Sequence, residues 1–248
     1  MSVTNPIHEI LKQNKPFNYF HTHVLDRPVM DRILAAHKSF EIDISIDERG
    51  EPYVGHPSTY YSLRNLPPPT NLPLDQAVTE GLEAGLFIML DVKNVKLLPK
   101  VAEIIQTYGS EHFIVHSFVK ELSFKPYPPK VQALAEPHWP DEELPLGELL
   151  KLKQTTGVPL AVSCRGITQQ RLLDEGTRII DDILGKTAHK VDVVTFFMPA
   201  GEALPLAVSK KLLANGIIPL INVDHTPPAA RPTAFFGSTD HLEQATTL

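Results

Sequence analysis

The chain has 248 residues, 42% hydrophobic and 21% charged, and this ordinary composition excludes a disordered, coiled-coil or collagen-like protein. Its 23 lysine and arginine residues against 29 aspartate and glutamate residues give a net charge of −6, without the basic cluster that nucleic-acid binding requires. A single cysteine, Cys164, excludes an intramolecular disulfide. Because no apolar run has the roughly 18 residues of a membrane span, we expect a cytoplasmic protein. The length suits one domain over residues 1–248.

Short apolar runs alternate with amphipathic stretches along the chain, which is typical of β/α units. Eight runs have the length of strands, and they are Phe17 to His21, Phe40 to Ile46, Leu86 to Val92, His112 to Ser117, Val131 to Ala135, Val158 to Cys164, Val191 to Phe197 and Ile217 to Val223. The stretches with helical periodicity are Pro28 to His37, Leu74 to Ala84, Val95 to Tyr108, Leu146 to Gln154, Thr168 to Leu184 and Glu202 to Asn215. This alternation predicts a (β/α)8 barrel of the TIM type, with a doubly wound open sheet as the alternative.

Local signals mark several helix ends. Gly157, Gly185 and Gly216 follow three of the predicted helices, where a residue that tolerates positive φ ends a helix. Thr168 is suited to cap the N-terminus of the fifth predicted helix. The residues before Phe17 are expected to form a short helix that covers the floor of the barrel.

The second run places two carboxylates on one face of a strand. Phe40 to Ile46 alternates apolar and polar residues, so that Glu41 and Asp43 point the same way. Inside a parallel barrel that face is the interior, where unpaired carboxylates are costly to bury and a bound cation would offset the cost. A half-exposed antiparallel strand with a solvated acidic face is the alternative.

The third run ends in a second charged pair, Asp91 and Lys93, which again share one face of a strand. If the second and third runs are neighbours in the barrel, Asp91 joins Glu41 and Asp43 in one cluster of oxygen ligands. Such hard donors suit Mg²⁺ or Ca²⁺ rather than zinc. A surface ion pair just past the strand end is the alternative, and it would contribute little energy.

Two histidines flank the acidic strand in the sequence. His21 ends the first run, and His56 follows the turn after the second run. A single histidine at a strand end is more often structural than catalytic. Two of them beside an acidic metal cluster, however, supply the general acid and general base needed to cleave a phosphodiester.

The ordered set of His21, Glu41-Ile42-Asp43, Gly55-His56 and Asp91-Val92-Lys93 resembles the phospholipase-C-like phosphodiesterase superfamily, which includes glycerophosphodiester phosphodiesterases, sphingomyelinase-D-type phospholipases and the menorin family. The resemblance implies a TIM-type barrel and a small-molecule phosphodiester substrate. It assigns His21 and His56 to the two catalytic histidines, and Glu41, Asp43 and Asp91 to the ligands of a divalent cation, Mg²⁺ or Ca²⁺. It also assigns Lys93 to a lysine that faces the phosphate.

Three features differ from the pattern of glycerophosphodiester phosphodiesterases. His21-Thr22-His23 stands where those enzymes usually have His-Arg-Gly, and His56-Pro57 stands where they have His-Asp. The third ligand is Asp91 rather than glutamate. His-Pro and Asp-x-Lys are more similar to the menorin and sphingomyelinase-D branches, so the resemblance does not specify a glycerophosphodiester.

Other interpretations of the same residues stay open. His21-Thr22-His23 also resembles the His-x-His of amidohydrolase-like and polymerase-and-histidinol-phosphatase-type metal hydrolases, whose sites His116 and His225 could extend. A barrel that binds a phosphorylated ligand without turnover is a further alternative. Arg165 could hold a phosphate oxygen, although an exposed loop arginine is the simpler expectation.

Overall fold

The structure is a computed structural model that describes residues 6–13, 15–57, 61, 70–124, 143–196, 198, 202–224 and 226–246. The strands are β1 (Phe17–Phe20), β2 (Phe40–Ile46), β3 (Pro52–Val54), β4 (Ile88–Val92), β5 (Phe113–Ser123), β6 (Glu143–Leu144), β7 (Leu160–Arg165), β8 (Val193–Phe196), β9 (Ile218–Asn222) and β10 (Phe236–Thr239). The α-helices are α1 (Pro6–Gln13), α2 (Arg27–Ala36), α3 (Leu74–Glu83), α4 (Leu98–Tyr108), α5 (Leu146–Thr156), α6 (Gln169–Thr187) and α7 (Leu206–Ala214).

Eight parallel strands close into a barrel in the order β1, β2, β4, β5, β7, β8, β9 and β10, and β10 pairs with β1. The predicted (β/α)8 barrel is therefore confirmed, as one domain. Two short strands lie outside the ring, because β3 forms an antiparallel hairpin with β2 and β6 pairs with the end of β5. In the described part of the chain, a 3₁₀ turn at Pro228–Ala230 takes the place of a helix between β9 and β10.

Two of the sequence predictions about elements need correction, and a third lies outside the described residues. The ring is completed by Phe236–Thr239, which the apolar pattern did not predict as a strand. The predicted strand Val131 to Ala135 lies outside the described residues, and β5 pairs directly with β7. Gly185 does not end α6, which continues to Thr187 and is capped by Ala188 at φ 49°.

The predicted helix signals at other positions are confirmed. The Thr168 side chain accepts a hydrogen bond from the backbone N–H of Arg171, as an N-cap does. Gly157 caps α5 with φ 73°, and Gly216 follows α7 with the same φ. Each signal works locally, which explains why a single sequence is sufficient to locate it.

The barrel interior has an apolar half and a polar half. The apolar half contains aromatic and aliphatic side chains from seven of the ring strands, together with Phe87 just before β4, and Ile7 and Ile10 of α1 pack against it. The predicted covering helix at the floor is thus confirmed. The polar half lies toward the carboxyl ends of the strands, where barrels of this type bind their ligands.

Candidate functional site

The strand register places three polar side chains at one level of the barrel interior. Asp43 of β2 is paired with Asp91 of β4, and Asp91 is paired with His116 of β5. Glu41 lies two residues before Asp43 on the same face of β2. All four side chains are buried, so the sheet register alone concentrates three carboxyl groups and an imidazole in a water-poor space.

Glu41 is the least compensated of these carboxyl groups. Its Oε2 atom is buried and accepts no hydrogen bond from the described residues, and the Nε2 atom of His21 lies 3.6 Å away. Burial raises the pKa of Glu41 to about 8, and the neighbouring charges of Asp43 and Asp91 add to the rise. The site therefore contains a buried carboxyl group whose charged form needs a positive partner.

Lys93 lies between the other two carboxylates. Its ammonium group is 3.0 Å from Oδ1 of Asp43 and donates a hydrogen bond of 2.5 Å to Oδ2 of Asp91. Burial alone would raise the pKa of both aspartates. Lys93 and His56 outweigh that effect for Asp43, and His116 and Lys93 outweigh it for Asp91, so both pKa values are lowered. Both aspartates are consequently anionic at neutral pH.

His116 joins Asp91 to the neighbouring strand. Its Nδ1 atom lies 3.1 Å from Oδ1 of Asp91, and its Nε2 atom lies 2.5 Å from the Ser163 hydroxyl on β7. Glu41, Asp91 and His116 each offer a ligand atom, and these atoms all lie within 4.8 Å of one another. This set is the first candidate metal cluster.

His21 follows β1 and contacts two carboxyl groups. Its Nδ1 atom is 3.0 Å from Oδ1 of Asp240, and its Nε2 atom faces Glu41. Burial alone would lower the His21 pKa, but the charge of Glu41 and the hydrogen bond to Asp240 raise it to about 9. The backbone of Asp240 is itself fixed, because its N–H donates to Oδ2 of Asp224 at 2.7 Å.

His23 and His56 contact Oδ2 of Asp43, whereas Lys93 contacts its Oδ1. His56 Nε2 is 2.9 Å from His23 Nδ1 and 3.2 Å from Asp43 Oδ2, and His23 Nδ1 is 3.4 Å from the same oxygen. Burial is the main cause that lowers the pKa of His23, although 45% of its side chain is exposed. His23, Asp43 and His56 form the second candidate metal cluster.

The turn that carries His56 depends on Gly55. Gly55 has φ +127°, and a Cβ atom there would lie 2.8 Å from the Asn71 amide nitrogen and 2.9 Å from the Tyr61 hydroxyl. Tyr61 accepts a hydrogen bond from the His56 backbone N–H at 3.2 Å. Glycine at this position therefore lets Tyr61 approach and hold the His56 backbone.

The site residues predicted from the sequence all reach this end of the barrel, and the structure places four of them in the two clusters, while His21 lies outside both, beside Glu41. Glu41 and Asp91 are in the first cluster, Asp43 and His56 are in the second, and Lys93 bridges the two. The structure thus splits the predicted ligand set of Glu41, Asp43 and Asp91 between two neighbouring clusters.

Some residues of the site were not predicted. Asp240 and Ser163 had no motif of their own, and only their positions at strand ends could have indicated them. His116 was noted only as a possible extension of a His-x-His site, and it is one of the three members of the first cluster.

Two further expectations have different outcomes. Arg165 is not an exposed loop arginine, because it is fully buried at the end of β7, with Nη1 3.3 Å from Glu143 and its guanidinium 3.8 Å from the Phe118 ring centroid. His225 lies outside the described residues.

Among comparisons with known proteins, the one with solved structures finds a likeness, and it agrees with the fold. Comparison with protein-family models finds no match, and comparison with curated proteins finds none either. Among solved structures, the chain is similar to a glycerophosphoryl diester phosphodiesterase from Parabacteroides distasonis, with a TM-score of 0.55, 11% identity, and coverage of 97% of this chain and 90% of that one.

Two other solved structures are similar at TM-scores below 0.5. One is an N-(5'-phosphoribosyl)anthranilate isomerase from Pyrococcus furiosus, with a TM-score of 0.48, 13% identity, and coverage of 90% of this chain and 86% of that one. The other is an HpcH/HpaI aldolase from Desulfitobacterium hafniense, with a TM-score of 0.49, 12% identity, and coverage of 94% and 88%. These likenesses concern the fold alone. Within the described residues, no helix has the length and apolar character to cross a membrane.

Proposed function

We propose that this protein is a metal-dependent phosphodiesterase that acts on a small-molecule phosphodiester. The observation that carries the proposal is the convergence of three buried carboxyl groups, Lys93 and two histidines at the carboxyl end of one barrel. A buried set of this composition costs folding energy unless a cation and an anionic substrate complete it. The structural likeness to a glycerophosphoryl diester phosphodiesterase, although distant, is consistent with this activity.

The residues present fit a divalent cation. Glu41 Oε2 is buried without a hydrogen bond from the described residues, and the Asp91 and Asp43 carboxylates lie on the adjacent strand positions. Glu41, Asp43 and Asp91 would hold the ion, and their oxygen atoms favour Mg²⁺ or Ca²⁺. When bound, such a cation polarises a non-bridging phosphate oxygen.

The other residues supply charge and protons. The ammonium group of Lys93 lies between Asp43 and Asp91. In the proposed reaction it would face the phosphate and balance part of its charge. His21 and His56 would form the proton-transfer pair: one accepts the proton of the nucleophile, and the other donates a proton to the leaving alcohol. The nucleophile is either water or a neighbouring hydroxyl of the substrate. Attack by water would give a phosphomonoester, and attack by the hydroxyl would give a cyclic phosphate.

The test is hydrolysis of bis(p-nitrophenyl) phosphate and a panel of glycerophosphodiesters, with Mg²⁺, Ca²⁺, Mn²⁺ or EDTA. We expect activity that EDTA abolishes and that falls at least about 100-fold in His21→Ala and in Asp91→Ala. His241→Ala and Asp174→Ala, which change exposed residues, are the matched controls and should keep the wild-type rate.

Two outcomes would contradict the proposal. Tight binding of Mg²⁺ or Ca²⁺ without turnover of any substrate would favour a non-catalytic phospho-ligand-binding barrel. Zinc-dependent phosphomonoester or amide hydrolysis that is lost in His23→Ala would favour a His-x-His hydrolase. The geometry does not support that second candidate, because His21 and His23 turn to different carboxylates.

A further inference from the structure

Three ligand atoms of the second cluster form a small triangle. His23 Nδ1, His56 Nε2 and Asp43 Oδ2 are separated by 2.9, 3.2 and 3.4 Å. Ligands that bind one zinc ion at about 2.0–2.1 Å in tetrahedral geometry lie roughly 3.3 Å apart. The three atoms therefore have the spacing of ligands that share one small metal ion.

The donor types indicate which class of ion would fit. Two imidazole nitrogens and one carboxylate oxygen suit Zn²⁺, Fe²⁺, Co²⁺ or Mn²⁺, whereas Mg²⁺ and Ca²⁺ prefer oxygen. Three protein ligands leave at least one coordination position open, as in exchangeable or catalytic metal sites. The half-exposed His23 side chain provides a route from solvent to the otherwise buried Asp43 and His56.

The backbone around this cluster holds the three donors in place. The Asn71 amide group accepts a hydrogen bond from Leu25 N–H, near His23, and donates one to the Val54 carbonyl, near His56. The Gly55 N–H donates to the Asp43 backbone carbonyl at 2.8 Å. Because the two loops and β2 are tied together, the triangle is not a chance meeting of mobile surface side chains.

We propose that His23, Asp43 and His56 form a binding site for a divalent transition-metal ion, which shares Asp43 with the proposed Mg²⁺ or Ca²⁺ ligands, and that its occupation inhibits the phosphodiesterase. The inhibition rests on the proposed function, in which His56 takes up or gives a proton. A metal bound at His56 Nε2 occupies the lone pair that this proton transfer needs. Metal binding itself does not depend on the protein being a phosphodiesterase.

The first experiment measures binding without any reaction. Metal-free protein in excess Mg²⁺ is titrated with Co²⁺, and the visible d–d absorption of the histidine-bound ion is recorded. We expect one equivalent to bind to the wild type and to His241→Ala, the control for an exposed histidine, and at least about tenfold weaker binding to His23→Ala. Identical titrations of wild type and His23→Ala, or no absorption in the wild type, would overturn the metal site.

The second experiment measures inhibition by Zn²⁺ at a fixed excess of Mg²⁺. Inhibition is expressed relative to each protein's own rate without Zn²⁺, and the half-inhibiting Zn²⁺ concentration of His23→Ala should be at least about tenfold higher than that of the wild type. Equal inhibition of both proteins would overturn the inhibitory role. If the wild type has no phosphodiesterase activity, the proposed function and the inhibition fail together, and the Co²⁺ titration still decides whether the metal site exists.

Discussion

Lys93 is the positive partner that the buried Asp43 and Asp91 share, and it helps His56 and His116 to keep them ionised. Replacing it with methionine keeps the apolar stem and leaves Asp43 and Asp91 without their shared partner. Because breaking a buried ion pair strands the remaining charge, we expect Lys93→Met to lower the free energy of unfolding by about 3–5 kcal/mol. Urea denaturation with EDTA present would measure the loss.

Lys120→Met is the matched control for this change, since Lys120 is exposed on β5 and its replacement should alter stability by less than about 0.5 kcal/mol. Equal stability of Lys93→Met and the wild type would mean that the two aspartates do not depend on Lys93 for their charge.

Single residues also mark the limit of what the sequence predicts at this site. The alternation of Glu41 with Asp43 indicates a shared face because strand geometry alone decides it. His21 and His23 are two residues apart but turn to different carboxylates. This difference depends on the conformation of the loop after β1. Asp240 reaches His21 only because β10 lies beside β1, and no local pattern encodes that neighbour.

Helix α1 acts as a separate element that covers the apolar floor of the barrel. Ile10 is almost fully buried there, against side chains that come from the ring strands. We expect Ile10→Ala to lower the free energy of unfolding by about 2–5 kcal/mol through the cavity that it leaves. The rate per folded molecule should not change, because the floor lies at the opposite end from the polar residues.

The measurement for α1 combines urea denaturation with the phosphodiesterase rate at saturating substrate. Leu173→Ala is the control, because Leu173 is an exposed apolar residue of α6. If the change at Ile10 reduced the rate without reducing stability, the two halves of the barrel interior would be coupled in a way that the packing does not predict.

At the level of elements, seven of the eight ring strands were recognisable from apolar runs of strand length. Phe236–Thr239 was not, because a strand of two small hydroxyl residues and one glycine has little apolar character. It is a strand for a tertiary reason: its backbone pairs with β1 on one side and β9 on the other. The apolar run Val131 to Ala135 was also predicted as a strand; it lies outside the described residues, and β5 pairs directly with β7.

For the molecule as a whole, the buried carboxyl groups in the polar half of the barrel lower the stability of the metal-free protein, and the proposed cation would offset that cost. Glu41 has a pKa raised to about 8, so the folded state holds its proton more tightly than the unfolded state does. Its contribution to stability therefore falls as pH rises from about 4.5 to about 8. We expect metal-free Glu41→Gln to be more stable than the wild type at pH 8, by on the order of 1–3 kcal/mol, and equally stable near pH 4.

Thermal denaturation across this pH range would test the trade-off, with and without Mg²⁺ or Ca²⁺. The cation should raise the melting temperature of the wild type, because it binds the folded state alone, and should have a much smaller effect on Glu41→Gln. A variant that is no more stable than the wild type, or that keeps the full response to the cation, would contradict a ligand role for Glu41.

The ring of strands is closed unequally on the two sides of β1. Among the residues that the structure describes, four pairs join β1 to β10, whereas a single pair, Phe20 with Phe40, joins β1 to β2. Such a seam is where partial opening needs the fewest broken hydrogen bonds. It also separates the histidines that follow β1 from the carboxylates of β2. Local opening of the barrel between β1 and β2 would separate the residues of the site while most of the fold stays intact. A ligand that contacts both strands would oppose this opening.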